Sequence, residues 1–395
     1  MNSVRRDKPY YPSSPISSVS RLSDVLEVRE NVLRDLIQNK STHYHSFSIE
    51  TTSSDGKKKN RSIHEPKFLL KKLQKRINSR ILSKVEYPHY LQGGIYDEDN
   101  PRDYYSNAAI HSKANCVMSV DIKNFYPSIK TEQVTRIFKF FFKFPQDVSE
   151  LLAELVTYEG FVPQGAVTSS YIANLLFFED EYKVVAHLAG KKLLYSRLLD
   201  DITISGKSIS NQDFGKIKTQ IVGMFKKRGV RINRKKTALV YSGIRSVTGL
   251  RVEHSTPRCD RKEKRRIRAA VKHCEIQYQI DRTSDEYHSL WNSTSGKVAK
   301  LERVGHSQAK KLRTRLQQIY PTLSTGQVHA LKIAIKKLER VPSSKRMKIG
   351  YLKQVNKLIH RTSLVFRTDK PLAHSLTERL ITIKPVKTYS DFWEK

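Results

Sequence analysis

Residues 119–129 read Ser-Val-Asp-Ile-Lys-Asn-Phe-Tyr-Pro-Ser-Ile, and this stretch decides how the rest of the chain is interpreted. Residues 116–120, a short apolar run that overlaps the start of this stretch, predict a strand, and Asp121 follows that strand directly. A carboxylate at the end of a strand can hold a hard cation when further carboxylates lie beside it. The rest of the chain should therefore supply such carboxylates on a neighbouring strand.

Two later segments complete this pattern. Pro163-Gln164-Gly165 predicts a turn that opens a helix from about Val167 to Val185. Residues 193–199 and 202–205 predict two strands joined through Asp200-Asp201 as a tight hairpin. An Asp-Asp pair by itself usually marks only a turn, but its combination with Asp121 and the turn at Pro163 is far more specific.

Three carboxylates on adjacent strands suit paired Mg²⁺ ions. Neighbouring strands bring side chains to within ~5 Å, and Mg²⁺ takes oxygen ligands at ~2.0–2.1 Å. Two such ions ~3.5–4 Å apart lower the pKa of an attacking hydroxyl and stabilise the leaving oxygen of a phosphoryl transfer. Because successive strand residues point to opposite faces, we expect Asp200 to be the direct ligand and Asp201 to support it or bind more loosely.

Charge and composition indicate the class of partner. The 395 residues are 38% hydrophobic and 28% charged, which argues against wholesale disorder. Lys and Arg number 73 against 38 Asp and Glu, a net charge of +35 that predicts a polyanionic partner, most often nucleic acid. The sequence contains no run of ~18 consecutive apolar residues, so no membrane-spanning helix is predicted. The three cysteines, Cys116, Cys259 and Cys274, form no disulfide framework, so we expect a cytoplasmic protein.

The basic residues lie in two blocks. Residues 57–84 hold eleven Lys and Arg against Glu65, and residues 226–272 hold seventeen against three acids. Residues 86–205, between them, carry the carboxylates described above. Two basic walls around a less basic floor suit a cleft that binds a nucleic-acid backbone. Two solvated helix faces remain the alternative interpretation.

The remaining segments give a coarse outline. Residues 1–22 are rich in Ser, Pro and Arg and are expected to be poorly ordered. Helical spacing of apolar residues predicts helices over 67–85 and 131–142, and residues 88–106 read as a loop. Residues 260–395 are predicted to be mostly helical and basic.

At this point the chain resembles bacterial reverse transcriptases of the retron and defence-associated type, over roughly residues 40–310. Seven short motifs in the family's order carry the resemblance: Gly56–Pro66, Asn107–His111 (NAxxH), Asp121–Ile129, Pro163–Leu175, Leu198–Asp201, Gly229–Thr237 and Val247–Gly249 (VTG). The family usually has an aromatic residue and Ala before the two aspartates, where this chain has Leu198 and Leu199. That departure affects the contact the aromatic makes with the primer terminus, whereas the carboxylates are kept.

The resemblance implies roles for individual residues. The metal-binding and catalytic set is Asp121, Ile122, Asp200 and Asp201, with Mg²⁺ as the cofactor. The nucleotide-binding set is Arg61 and Lys59 at the triphosphate, Tyr126 as the gate against a ribose 2′-hydroxyl, Gln164 and Gly165 at the pocket, and Lys235 or Lys236 at the leaving pyrophosphate. The RNA-recognition set is Asn107, His111, Thr248 and Gly249. Core packing for Tyr126 and loop capping for Asn107 and His111 remain the structural alternatives.

The resemblance also implies an α+β right-hand polymerase. The expected divisions are an N-terminal arm (1–39), fingers (40–115), palm (116–250), thumb (251–320) and a helical C-terminal extension (321–395). The implied reaction is RNA-directed DNA synthesis from a 3′-hydroxyl, or from an RNA 2′-hydroxyl. The implied partners are dNTPs, a dedicated structured RNA template, the DNA/RNA hybrid product and an accessory defence protein, with no membrane.

The C-terminal extension is expected to hold the structured RNA or to mediate self-association, with a solubilising tail as the alternative. Antiphage defence is the expected setting. A group II intron maturase and a non-catalytic RNA-binding scaffold are the alternatives. The NAxxH and VTG elements argue against the first, and the intact Asp121, Asp200 and Asp201 argue against the second.

Overall fold

The strand predicted before Asp121 lies inside a four-stranded antiparallel sheet. The structure is a computed structural model, which describes residues 7–52 and 58–386. In chain order the strands of this sheet are β3 (Cys116–Asp121), β4 (Leu194–Leu198), β5 (Asp201–Gly206) and β6 (Ala238–Val240). Their spatial order is β4-β5-β3-β6. Five of the six residues of β3 are buried, and Cys116, Met118 and Val120 pack in the apolar core, which explains its nearly unbroken apolar sequence.

The register of this sheet places Asp121 at the end of the central strand β3, opposite the first residue of β5. Val120 of β3 pairs with Ile202 of β5, and Asp121 pairs with Asp201. The side chains of Met118, Val120 and Ile202 are buried in one large apolar core. The acidic pair therefore lies where the buried part of the sheet ends.

Helices and two further hairpins complete the first of two compact units, which ends at Pro257. Its hairpins are β1–β2 (Tyr44–Thr52 and Lys58–Pro66) and β7–β8 (Ser246–Val247 and Leu250–Arg251). Its helices are α1 (Val19–Leu26), α2 (Glu30–Gln38), α3 (Phe68–Arg80), α4 (Tyr104–Ile110), α5 (Phe125–Ser128), α6 (Thr131–Arg136), α7 (Gln146–Val156), α8 (Ser169–Leu175), α9 (Glu181–Gly190) and α10 (Asn211–Lys227).

Two local predictions in this unit are wrong. The single helix predicted from Val167 to Val185 is two helices, α8 and α9, separated by turns over residues 176–180. The predicted disorder of residues 1–22 fails within the described part, because α1 begins at Val19 and buries Leu22 completely. Helix α1 is capped by Ser18, whose side chain accepts a hydrogen bond from the Arg21 amide. The Ser-rich composition here therefore marks a helix cap.

The second unit begins at Arg258, and within the described residues it is mostly helical, as predicted for residues 260–395. Its helices are α11 (Arg261–Ile280), α12 (Asp285–Arg303), α13 (Ala309–Gln318), α14 (Thr325–Glu339), α15 (Ser343–Arg346), α16 (Ile349–Val365) and α17 (Lys370–Ile383). Helices α14, α16 and α17 bury a core of their own, which includes Ile335, Val355 and Leu380. None of the helices in residues 7–52 and 58–386 is long and apolar enough to cross a membrane.

Candidate active site

The three predicted carboxylates meet at one end of the central sheet. Asp121 is the last residue of β3 and is 4% exposed, and Asp201 is the first residue of β5, directly opposite it. The two-residue turn between β4 and β5 is Leu199-Asp200, which we call the Asp200 turn. The amide of Ile122 donates to the Asp200 carbonyl at 2.9 Å, which fixes the turn against the end of β3.

This geometry corrects the predicted hairpin. Asp201 belongs to β5, and the turn residue is Leu199, with φ of 57°. A side chain other than Gly in this left-handed region costs roughly 1–2 kcal/mol. The alternation argument that ranked Asp200 above Asp201 does not apply, because Asp200 lies outside both strands. Asp201, as the cross-strand neighbour, lies on the same sheet face as Asp121.

Two of the three carboxylates, Asp200 and Asp201, have raised pKa values. The pKa of Asp201 is raised to about 6, first by desolvation and then by the charges of Asp200 and Asp121. Its side chain reaches solvent, but the protein atoms around it reduce its hydration. Desolvation, with a smaller contribution from Asp121, also raises the pKa of Asp200. Desolvation is thus the largest cause of both raised pKa values, and the neighbouring carboxylate charges add to it.

Two residues of the segment after α10 hold Asp121. Asn233 Nδ2 donates to Asp121 Oδ2 at 2.7 Å, and Lys236 Nζ donates to Oδ1 at 2.8 Å. The hydrogen bond from Lys236 to Asp121 raises the Lys236 pKa. Of the two lysines predicted for this region, Lys236 contacts the carboxylates, and Lys235 is exposed. Asn233 was missed as a site residue, although it lies within the recognised motif.

Tyr126 and Phe125 occupy different environments. Phe125 is buried and stacks on Phe177 with ring centroids 6.4 Å apart. Tyr126 is half-buried, and its pKa is raised to about 12 by desolvation and then by the charge of Asp200. The Phe125 ring therefore belongs to the core, whereas the half-buried Tyr126 lies within range of the Asp200 charge.

The β1–β2 hairpin also reaches this site. Arg61 is exposed on β2, and its charge lowers the pKa of Asp200 against the larger raising effects. Lys59 lies in the same strand, but its side chain is outside the described part of the structure, as is Gly56, the start of the predicted motif.

Gln164 and Gly165 join this hairpin to the site. The His64 amide donates to the Gln164 carbonyl at 2.8 Å. Gly165 has φ of 118°, and a Cβ there would lie 2.8 Å from Ile63 Cγ2. The close approach that requires glycine is therefore an approach to β2. The Gln164 side chain is half-exposed.

The four residues predicted to recognise RNA lie around α4. Asn107 and His111 are 1% and 0% exposed. His111 Nδ1 and Nε2 contact the Ser205 and Ser196 hydroxyls, each at 2.7 Å, which ties α4 to strands β5 and β4. Burial lowers the His111 pKa to about 3, so the imidazole is neutral. Direct RNA contact by Asn107 and His111 does not fit this structure, because both side chains are closed off from solvent.

Thr248 and Gly249 form the turn of the β7–β8 hairpin. Both have positive φ, 50° and 77°, as a two-residue type I′ turn requires. The Thr248 hydroxyl donates to the Tyr104 carbonyl at 2.6 Å, which ties this hairpin to the first turn of α4. The VTG turn therefore contacts the start of α4, the helix that carries the NAxxH element.

A buried ion pair beneath the Asp200 turn was not predicted. Arg197 is 0% exposed, and its Nε and Nη2 donate to the two carboxylate oxygens of Glu181 at 2.6 and 2.9 Å. Its Nη1 also donates to the Leu199 carbonyl at 3.2 Å, and its Nη2 to the Asn174 carbonyl at 2.9 Å. Arg197 thus joins the turn to α8 and α9. The sequence offered no signal, since an isolated Arg in a strand usually faces solvent.

Comparison with known proteins identifies the family. The family described as "Reverse transcriptase (RNA-dependent DNA polymerase)" matches residues 46–284. The retron Se72 reverse transcriptase of Salmonella heidelberg is 39% identical over 96% of this chain and 99% of that protein. The retron Ec48 reverse transcriptase of Escherichia coli is 32% identical over 96% of each chain. A solved telomerase of Candida albicans covers 96% of this chain and 74% of its own at 11% identity and a TM-score of 0.37, too distant to support an argument.

These similarities define a template-directed nucleic-acid polymerase with the fingers, palm and thumb of a right hand, followed by a helical C-terminal region. The chain belongs to the reverse transcriptase family, in its bacterial retron type. It is an RNA-directed DNA polymerase, and it binds an RNA template. The predicted family and the predicted α+β right-hand fold are confirmed.

Reverse transcriptases use divalent metal ions, and the residues at this site fit such an ion in type. The donors are all hard oxygens, the ligands that Mg²⁺ prefers, and Asp121 and Asp201 lie opposite each other with Asp200 in the adjoining turn. Within the described residues, however, no three His, Cys, Asp or Glu side chains are arranged as ready ligands. Asn233 and Lys236 each donate to one oxygen of Asp121, and each of these oxygens keeps a further lone pair that could bind an ion.

Proposed function

We propose that Asp121, Asp200 and Asp201 hold two Mg²⁺ ions and carry the DNA-synthesis reaction of this reverse transcriptase. The observation that supports the assignment is the cross-strand pair of Asp121 and Asp201, with Asp200 in the turn beside them. Ile122 belongs to the same site. Its amide donates to the Asp200 carbonyl, and its own carbonyl is the proposed further oxygen ligand. When bound, the metal ions supply the positive charge that activates the attacking hydroxyl and stabilises the leaving oxygen.

Lys236 is the proposed donor to the leaving pyrophosphate. Its ammonium already lies on Asp121, and it carries a proton that the carboxylates hold in place. Displacement from Asp121 would free this proton donor beside the reacting phosphate. Asn233 keeps its bond to the other oxygen of Asp121 and so orients the carboxylate. Lys235, the other predicted lysine, is left to contact the nucleic-acid backbone.

Tyr126, Arg61 and Gln164 are the proposed nucleotide contacts. The half-buried Tyr126 ring beside Asp200 can exclude a ribose 2′-hydroxyl from the pocket. The exposed Arg61 guanidinium suits the triphosphate, whose oxygens it can bind in a bidentate manner. Lys59 is proposed for the same phosphates from its position in β2. Gly165 keeps the Gln164 segment against β2, so that the hairpin and the carboxylates face one bound nucleotide.

The template is proposed to be a dedicated structured RNA, with synthesis primed by a 3′-hydroxyl or an RNA 2′-hydroxyl. The similarity to retron reverse transcriptases over nearly the full chain supports this proposal. Asn107, His111, Thr248 and Gly249 would then act on RNA indirectly, by fixing α4 and the exposed β7–β8 turn.

The proposed domain boundaries are those given by the sequence. The first compact unit ends at residue 257, seven residues after the predicted palm–thumb boundary at 250.

The helices from α14 onward are proposed to retain the structured RNA or to mediate self-association, since they bury a core of their own. An accessory protein and antiphage defence are the proposed partner and setting, on the strength of the retron-type family. The three cysteines are buried free thiols, which supports the proposed cytoplasmic location.

The assignment is tested with Asp200→Asn. This variant removes one charge from the proposed metal site and keeps the shape of the side chain. We expect single-nucleotide incorporation to fall by a factor of about 10² or more, while RNA affinity stays within about twofold, because the lost charge acts in the chemical step. The matched control is Asp213→Asn, on an exposed carboxylate of α10 that pairs with Lys191. Undiminished DNA synthesis by Asp200→Asn would contradict the assignment.

A further inference from the structure

Tyr96 is the most exposed aromatic side chain among the described residues. Its exposed fraction is 78%, compared with 49% for Phe140 and 46% for Tyr241. Exposure of a large ring to water forgoes the free energy that burial would give, about 25 cal/mol for each Å² of apolar surface. An aromatic ring that is exposed to this extent is available to stack on a planar ligand.

The loop that carries Tyr96 is fastened beside the Asp200 turn. The Gln92 amide donates to the Arg197 carbonyl at 2.8 Å, which places the loop along β4. Asn174 Nδ2 donates to the Gly93 carbonyl at 2.7 Å. A Cβ on Gly94 would collide with Ser170 and would lie 3.5 Å from Leu199 Cδ2. These contacts leave little freedom at the base of the loop.

Tyr96 itself follows this fixed base immediately. Consecutive Cα atoms are 3.8 Å apart, so the Tyr96 Cα lies within about 7.6 Å of the Gly94 Cα. The Tyr96 amide also lies 3.4 Å from the Tyr171 hydroxyl of α8, which anchors the residue to the helix that follows Gln164. A firmly held backbone with a free ring is the arrangement that lets an aromatic residue bind at low entropic cost.

The surroundings of Tyr96 select the kind of ligand. It lines a cavity of about 520 Å³ together with Tyr87 and Tyr171, which leaves room for a second ring beside it. Glu86, Asp97 and Asp99 line the same cavity together with Arg102, which pairs with Asp97 at 2.9 Å, so acidic side chains outnumber basic ones there. Carboxylates repel a phosphate group, whereas they accept hydrogen bonds from the amino groups of a base.

We propose that Tyr96 is a stacking platform for a nucleobase of the bound template–primer, next to the site of synthesis. The proposal rests on the proposed function, which places the reaction at the carboxylates beside the Asp200 turn. The phosphates of the strand would lie away from Asp97 and Asp99. Stacking on Tyr96 would hold the strand in register while the Asp200 turn acts on its end.

The test measures binding and chemistry separately. The full chain is titrated with a fluorescent DNA primer annealed to an RNA template, and the Kd is read by anisotropy without dNTPs. Tyr96→Ala should raise this Kd about 5-fold or more, the loss that removal of one base–aromatic stack gives. Tyr96→Phe keeps the ring and should stay within about twofold of the wild type. Single-turnover incorporation by the wild type at saturating template–primer is measured in parallel.

Tyr241→Ala is the matched control. Tyr241 is also exposed and follows β6, which pairs with the start of β3, far along the strand from Asp121. Its removal should leave the Kd within about twofold of the wild type. An unchanged Kd in Tyr96→Ala, or an equal loss in Tyr96→Phe, would overturn the proposal. If the wild type bound template–primer but incorporated no dNTP, the proposed function would fail, and the Kd series would still decide the role of Tyr96.

Discussion

The buried ion pair beneath the Asp200 turn gives a stability prediction whose size follows from the structure. Glu181 accepts two hydrogen bonds from the Arg197 guanidinium and a third from the Tyr195 hydroxyl at 2.7 Å. The side chains of Glu181 and Arg197 are 3% and 0% exposed. Glu181→Gln removes the negative charge and leaves a guanidinium buried without its counter-ion.

Breaking one partner of such a pair costs about 3–5 kcal/mol. For a unit of this size, 1 kcal/mol lowers Tm by about 2–4 °C, so Glu181→Gln should lower Tm by about 6–20 °C. The assay is thermal unfolding followed by circular dichroism. The control is Glu50→Gln, which breaks an exposed pair with Lys58 and should cost at most about 1 kcal/mol.

The double variant Glu181→Leu, Arg197→Met separates charge from packing. Removing both charges spares the cost of a lone buried ion, so this variant should be more stable than Glu181→Gln. A Tm loss for Glu181→Gln no larger than that of Glu50→Gln would refute the argument, because it would show that water or another group compensates Arg197.

Three further perturbations test the residues around the carboxylates. Tyr126→Ala should raise the ratio of ribonucleotide to deoxyribonucleotide incorporation, measured by competition in primer extension, whereas an unchanged ratio would mean that Tyr126 is not the gate. Lys236→Gln should slow single-nucleotide incorporation at least about tenfold and Lys235→Gln much less, since only Lys236 contacts Asp121; equal effects would contradict this. The His111 pKa of about 3 lies below its unfolded value of about 6.5, so the unfolded state takes up a proton first as the pH falls, and stability should drop by about 1.4 kcal/mol between pH 7.5 and 5.5. Urea unfolding of the wild type and His111→Gln at both pH values checks this, and an equal drop in both would contradict it.

The sheet and the acidic site were predictable because their signals are local. An apolar run that ends in Asp121 and a hairpin with two further carboxylates sufficed to place the three side chains together. The exact turn did not follow, because a positive φ at Leu199 runs against residue preference and is supported by Arg197 from below. Tertiary contacts of this kind leave no periodic pattern in the sequence.

The roles of polar residues were harder to predict than their positions. Asn107 and His111 have the composition of a surface motif, yet both are buried, and two serines that lie 85 or more residues away along the chain satisfy His111. The choice between Lys235 and Lys236 depends on the orientation of one 3₁₀ turn, Arg234–Lys236, which a run of basic residues cannot reveal.

DNA synthesis on RNA by the wild-type chain is the most direct test of the central claim, that the carboxylates at the end of the sheet form a working polymerase site. A purified wild-type protein is given an RNA template, an annealed DNA primer, four dNTPs and Mg²⁺, and the products are resolved by length. We predict extension of the primer to the end of the template, and its loss when EDTA removes the metal. Binding of the template–primer without incorporation of a single dNTP would contradict the account and would leave the protein as an RNA-binding scaffold.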